Sequence, residues 1–192
     1  MTGSALANIS DALIHYTFDS VNGTNLYYDW DPNRSGSLYH QMLNRVDDAL
    51  TKLPQQRPGY SGKVAGFFWM QGEFDARDSR TDYQTNLTAL IARVRTDFGN
   101  PNLPFIIGRN RAQWGDGHTV REAQAAVAAA VPYTYMVNTD SYPMSDSDHY
   151  STEGTVTLAT DFGNAYISVV TPTIVTAGTL ATENTIRHAE SH

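Results

Sequence analysis

The stretch VAGFFWMQGE, residues 64–73, decides the fold. Val64–Met70 is a short, almost unbroken apolar run, the pattern of a parallel strand buried on both faces rather than of a half-exposed strand, whose polar and apolar side chains alternate. It stops at Gln71-Gly72-Glu73, so a side-chain amide and a glycine stand at the strand's end. Loops at the carboxyl ends of parallel strands form the binding crevice. An amide there can meet a developing oxyanion, or cap the strand by satisfying backbone groups.

Outward from this strand the chain alternates helix and strand. Before it, Leu38, Met42, Val46, Leu50 and Leu53 recur at helical spacing between Ser37 and Leu53, until PQQRPGYSG ends the pattern. After it, Tyr83, Leu87, Ile91, Val94 and Phe98 predict a helix over Asp82–Phe98, with Thr81 and Gln84 as a capping box. Phe105–Gly108 reads as the next strand, Ala-rich Thr119–Ala130 as a helix, and Tyr133–Asn138 as another strand. Ser151 or Thr152 caps a last helix that carries Val156, Ala159, Phe162, Tyr166 and Val169. Ala12–Phe18 is a weaker strand. The alternation predicts an α/β protein, a three-layer α/β/α sandwich around a mostly parallel sheet.

Bulk properties narrow the function. The 192 residues, 41% hydrophobic, suit one domain, 1–170, followed by a tail, 171–192, that is either a sheet strand or flexible. A net charge of −7 with 13 scattered Lys and Arg argues against a nucleic-acid partner. With no cysteine there is no disulfide scaffold, thiolate zinc site or Cys nucleophile. No apolar run approaches a membrane span, and MTGSALANISD lacks the pattern of a signal peptide, so a soluble chain without membrane contact is expected, its compartment open.

A second segment, DSDHYSTEG at Asp146–Gly154, places a carboxylate three residues before a histidine. One turn lets Asp146 orient the His149 imidazole and stabilise its protonated form, as a base that activates a hydroxyl requires. Read alone, Asp-x-x-His is most often a solvated turn. Asp140, Asp146, Asp148, His149 and Glu153 lack the spacing of a zinc site or a calcium loop, so no metal or cofactor is expected.

These segments, taken in order, resemble the sialate O-acetylesterase-like carbohydrate acetylesterases of the SGNH hydrolase superfamily, with its flavodoxin-like fold. The likeness runs from about Ile14 to Val169. NGTNLYYDWDP at Asn22–Pro32 matches a Gly-Gly-Thr-Ser-Leu turn before Asp-Trp. WMQGEFD at Trp69–Asp75 matches Trp-x-Gln-Gly-Glu-Ser-Asp, with Phe74 in place of serine. Tyr83, LPFIIG and VREAQAAV follow in the family's order, and Asp146, His149 and Gly154 complete Asp-x-x-His with its trailing glycine. The resemblance implies His149 as base, Asp146 as its orienting acid, and Gly23 and Gln71 as oxyanion donors. Asn22 and Trp30, beside this loop, are candidate substrate contacts; Trp30, Tyr27 and Tyr28 can stack on a sugar or pack against the helix Leu38–Leu53.

The family's Gly-Gln-Ser-Asn, which carries the nucleophile at the end of a central strand, does not occur in the chain. The expectation is therefore a fold whose first strand is missing or replaced. Three arrangements are open. Ser20, ending Ala12–Phe18, takes the nucleophile's place, although a serine in such a loop is also ordinary turn chemistry. Alternatively the tail TPTIVTAGTLATENT, Thr171–Thr185, supplies the strand, within the chain or exchanged between copies in a homo-oligomer. Or the site is decayed. Three functions follow: hydrolysis of short acyl esters, chiefly acetyl groups on carbohydrates, with a small ester or acetylated glycan as partner; a glycan-binding module without nucleophile; or a hydrolase in which His149 activates water.

Overall fold

The computed structural model describes residues 21–111 and 117–170. Ala12–Phe18, Ser20 and the tail 171–192 lie outside the described residues. The order is α1 (Leu38–Gln56), β1 (Phe67–Trp69), α2 (Glu73–Arg77), α3 (Tyr83–Asp97), β2 (Phe105–Gly108), α4 (Gly117–Ala130), β3 (Thr134–Val137) and α5 (Thr152–Val170). The strands form a parallel sheet in the order β1-β2-β3, with Phe67 opposite Phe105 and Phe105 opposite Thr134. Among the described residues the outer edge of β1 has no strand partner. The fold is the expected α/β class.

Period-two alternation sorts the strand residues onto two faces. Phe67, Trp69, Phe105 and Ile107 join the core formed with α1, α3 and α4, where Leu87, Leu90, Ile91 and Val94 are all at 0% exposure. Burying such side chains contributes roughly 1.5–3 kcal/mol each. Phe67 stacks on Phe105 with centroids 5.0 Å apart. Phe68 turns the other way, against Phe162 and Tyr166 of α5. The sheet is thus a middle layer, with α1, α3 and α4 on one face and α5 on the other.

Several boundaries differ from the sequence reading. The strand expected over Val64–Met70 is confined to Phe67–Trp69, because pairing with β2 begins where Phe67 N–H donates to Pro104 C=O at 2.9 Å. Helix α1 runs through Pro54 to Gln56, one turn beyond Leu53. The Thr81–Gln84 capping box does not form. Asp82 is the N-cap of α3, without a side-chain cap bond, and its carboxylate is taken by Arg80 at 3.0 Å. At α5, Ser151 does cap: its hydroxyl accepts from Gly154 N–H at 3.1 Å.

Candidate active site

The first half of the site grows from the end of β1. Gly72 adopts φ +132°, and a Cβ there would come within 2.8 Å of Asn110 Nδ2 and of Val120 Cγ1. Only glycine makes this turn and allows the close approach. It aims Gln71 inward and starts α2 on Glu73. Gln71 is buried, and its two amide hydrogens are both committed, one to Thr24 C=O at 2.9 Å and one to Asp75 Oδ2 at 2.6 Å. Its own carbonyls accept in turn: Tyr83 hydroxyl reaches the backbone oxygen at 2.9 Å and Oε1 at 3.2 Å, and Gln124 Nε2 reaches the backbone oxygen at 3.1 Å.

Asp75, 1% exposed, is the anchor of this network. Besides Gln71 it accepts Leu26 N–H, at 3.0 Å to Oδ2 and 3.2 Å to Oδ1. Burial raises its pKa, with the Gln71 and Leu26 hydrogen bonds acting in the opposite direction. The loop carrying Asn22 and Gly23 is therefore tied to β1 through Gln71 and Asp75. Gly23 itself is exposed with φ +68°, and Asn22 is exposed beside it. Trp30 is 6% exposed; its ring meets Trp69 edge-to-face at 5.2 Å and its Nε1–H donates to Thr24 Oγ1 at 3.1 Å. Of the two roles open to Trp30, packing is the one observed, with Trp69 as its partner. Tyr27 and Tyr28 carry Arg80 and Arg34 over their rings, each at 3.9 Å.

The second half lies between β3 and α5. His149 Nδ1 is 3.0 Å from both oxygens of Asp146, which also accepts the backbone N–H groups of Asp148 and His149 at 2.8 Å. The Asp148 backbone bond, then the imidazole and the His149 backbone bond, hold the Asp146 pKa below the usual carboxylate value. An ionised Asp146 accepts from Nδ1–H, and in the neutral ring that tautomer carries its lone pair on Nε2. Both side chains are exposed, His149 at 70% and Asp146 at 54%. The loop is closed by a Met144–Tyr150 bridge and by Ser145 N–H donating to His149 C=O at 2.9 Å. Tyr150 hydroxyl reaches Thr139 Oγ1 at 2.8 Å, and Thr139 Oγ1 donates to Arg109 C=O at 2.6 Å, so the loop's end is pinned to the rim. A Cβ on Gly154 would lie 2.1 Å from Pro143 O, which explains a glycine five residues after the histidine.

Arg121 of α4, 7% exposed, pairs both guanidinium nitrogens with Asp140, at 2.7 and 2.9 Å, and donates to Asn110 C=O. It lowers the Asp140 pKa, chiefly through the hydrogen bond. Glu73 is half-buried at the start of α2, and desolvation raises its pKa. Ser20, the remaining candidate, is outside the described residues. The sequence reading gave Asp75 and Arg77 no role. Asp75 had a signal, since it stands four residues after Gln71 across the first turn of a helix; Arg77 had none, its partner Asp148 being 71 residues away.

A parallel sheet between helix layers, with a buried amide network and an exposed Asp-His pair on loops after its strands, defines an α/β protein with a site on the carboxyl rim of its sheet. The chain belongs to the carbohydrate esterase, sialic acid-specific acetylesterase family, whose model matches residues 8–168. Among solved structures it is similar to a protein from Arabidopsis thaliana, with TM-score 0.63 and 29% identity over 76% of this chain. The match spans 57% of that protein's length. A carbohydrate acetylesterase from Xanthomonas citri also matches, with TM-score 0.36 and 27% identity over 39% of this chain and 19% of its own. No curated protein matches. Among the described residues no helix is long and apolar enough to cross a membrane.

Proposed function

We propose that this chain removes short acyl groups, chiefly acetyl, from carbohydrate esters, with His149 as general base and Asp146 as its orienting acid. The observation that carries the reading is the Asp146–His149 pair, which leaves Nε2 unoccupied by Asp146 on an exposed loop after β3. In the first step a serine hydroxyl, assigned to Ser20, adds to the acyl carbonyl carbon while its proton passes to Nε2. The carbonyl π electrons move onto oxygen, which Gly23 N–H faces. Collapse expels the sugar alkoxide, which takes the proton from Nε2, and water repeats the cycle to release the acid.

Gln71 enters this scheme in one of two ways. Its amide hydrogens already serve Thr24 and Asp75, so it acts on the oxyanion by fixing the Gly23 loop, or it donates directly after giving up Thr24. The fully engaged amide, with Phe74 in place of the family's serine, favours a second reading in which the chain binds acetylated glycans without turning them over. The test is acetate release from an acetylated sugar, with a fluorophosphonate probe to find the nucleophile. Hydrolysis with the label on Ser20 supports the first reading. Retained labelling in Ser20→Ala moves the nucleophile elsewhere. Glycan binding with neither label nor acetate supports the second reading.

A further inference from the structure

Helix α2 touches both halves of the site. On its buried side Asp75 holds Leu26 N–H and Gln71. On its exposed side Arg77 Nη2 donates to Asp148 Oδ1 at 2.9 Å, one residue before His149. The base loop is internally stiff, since Asp146 gathers the Asp148 and His149 amides. Stiffness within a loop does not set its place relative to another loop. We propose that α2 is a two-sided clamp in which Arg77, through Asp148, is a positioning residue that sets His149 against the Gly23 loop held by Asp75.

Three features support this role. The two ties leave α2 only two residues apart, so any shift of the helix moves both loops together. Gly72, with its positive φ, fixes where α2 begins relative to β1. Finally, Asp148 is not needed to orient the imidazole, which Asp146 does; its Oδ2 accepts from Ser147 Oγ at 3.3 Å within the loop, and its Oδ1 bonds outside it to Arg77. The inference rests on His149 as base, because only then does its placement govern turnover. Misplacing a catalytic group by about 1 Å can lower a rate by up to roughly 100-fold.

The test uses the whole chain. The Arg77–Asp148 side chains are 53% and 45% exposed, and exposed pairs contribute little to stability, so Arg77→Gln should move Tm by no more than about 3 °C. The same change should lower kcat roughly tenfold with KM nearly constant. It should also shift the paramagnetic broadening of the His149 amide by a nitroxide placed at Val21→Cys, the single thiol in a chain that has no cysteine, while the amide bonds that Asp146 holds stay protected. Arg77→Asp combined with Asp148→Arg should restore both readouts. Unchanged broadening in Arg77→Gln would overturn the clamp. Changed broadening with parental kcat, in a protein that His149→Ala inactivates, would overturn its role in positioning. If His149→Ala keeps the parental rate, the base assignment fails instead, and the broadening alone decides whether the clamp exists.

Discussion

At Gln71 and Asp75 the rim is dry: a carboxylate and an amide, 1% and 6% exposed, hold each other and the backbone of a distant loop. At Asp146 and His149 it is wet, with both side chains more than half exposed and fixed by bonds within four residues of sequence. On the proposed function, the two regions divide the work by what each chemistry needs. An oxyanion site requires donors that do not move when charge develops, and burial in a satisfied network provides that rigidity. A base must meet substrate and exchange protons with water, so it stands outside and relies on a local carboxylate for orientation. The dry half therefore puts stability at stake, and the wet half puts rate at stake.

The contrast breaks most sharply at Asp75. Asp75→Ala leaves Leu26 N–H and one Gln71 hydrogen without acceptors, and each buried donor left bare costs roughly 1–3 kcal/mol. A loss of about 2–5 kcal/mol in unfolding free energy is expected by urea denaturation. A shift below about 1 kcal/mol would mean that water reaches these donors and that this half is not dry.

Gln71→Ala comes next. As scaffold and oxyanion support together, the amide should contribute roughly 10²–10³ in turnover and about 1–3 kcal/mol in stability. Lost turnover at full stability would make Gln71 a direct donor that exchanges Thr24 for the oxyanion. A rise in KM alone would make it a substrate contact.

How much of this was legible in the sequence follows the same division. Phe105–Gly108 was read with its observed ends because an unbroken apolar run between breakers has one solution. Val64–Met70 was read too long, since strand length is set by the partner and β2 supplies only the register from Phe67 to Trp69. Asp146 and His149 were legible because their interaction is local. Asp75 was visible in its motif without a role, because that role lies in Leu26 N–H, 49 residues away. Trp30 remained undecided between sugar and core, because its face is settled by Trp69, which only the fold brings near.

Trp30→Phe sharpens that last point. It removes the bond to Thr24 and shrinks an edge-to-face partner, for about 1–2 kcal/mol of stability. KM for an acetylated sugar should not change, whereas a several-fold rise would return Trp30 to the binding surface.

The smallest effect concerns acid. The folded pKa of Asp146 is lowered, so its contribution is present above the unfolded carboxylate value of 3.8 and is lost as pH falls through the folded value. Amide protection at Asp148 and His149 should hold from neutrality down to about pH 4 and fall only below it. Protection lost well above that range would mean that a group other than the Asp146 carboxylate holds the loop.

The central claim is that His149 is the base of an acyl-ester hydrolysis, and acetate release by the parent and by His149→Ala tests it most directly. A fall of roughly 10²–10⁴ in kcat/KM with unchanged Tm is the predicted result, because removing an exposed base takes away proton transfer and little packing. Equal rates in the two proteins would contradict it.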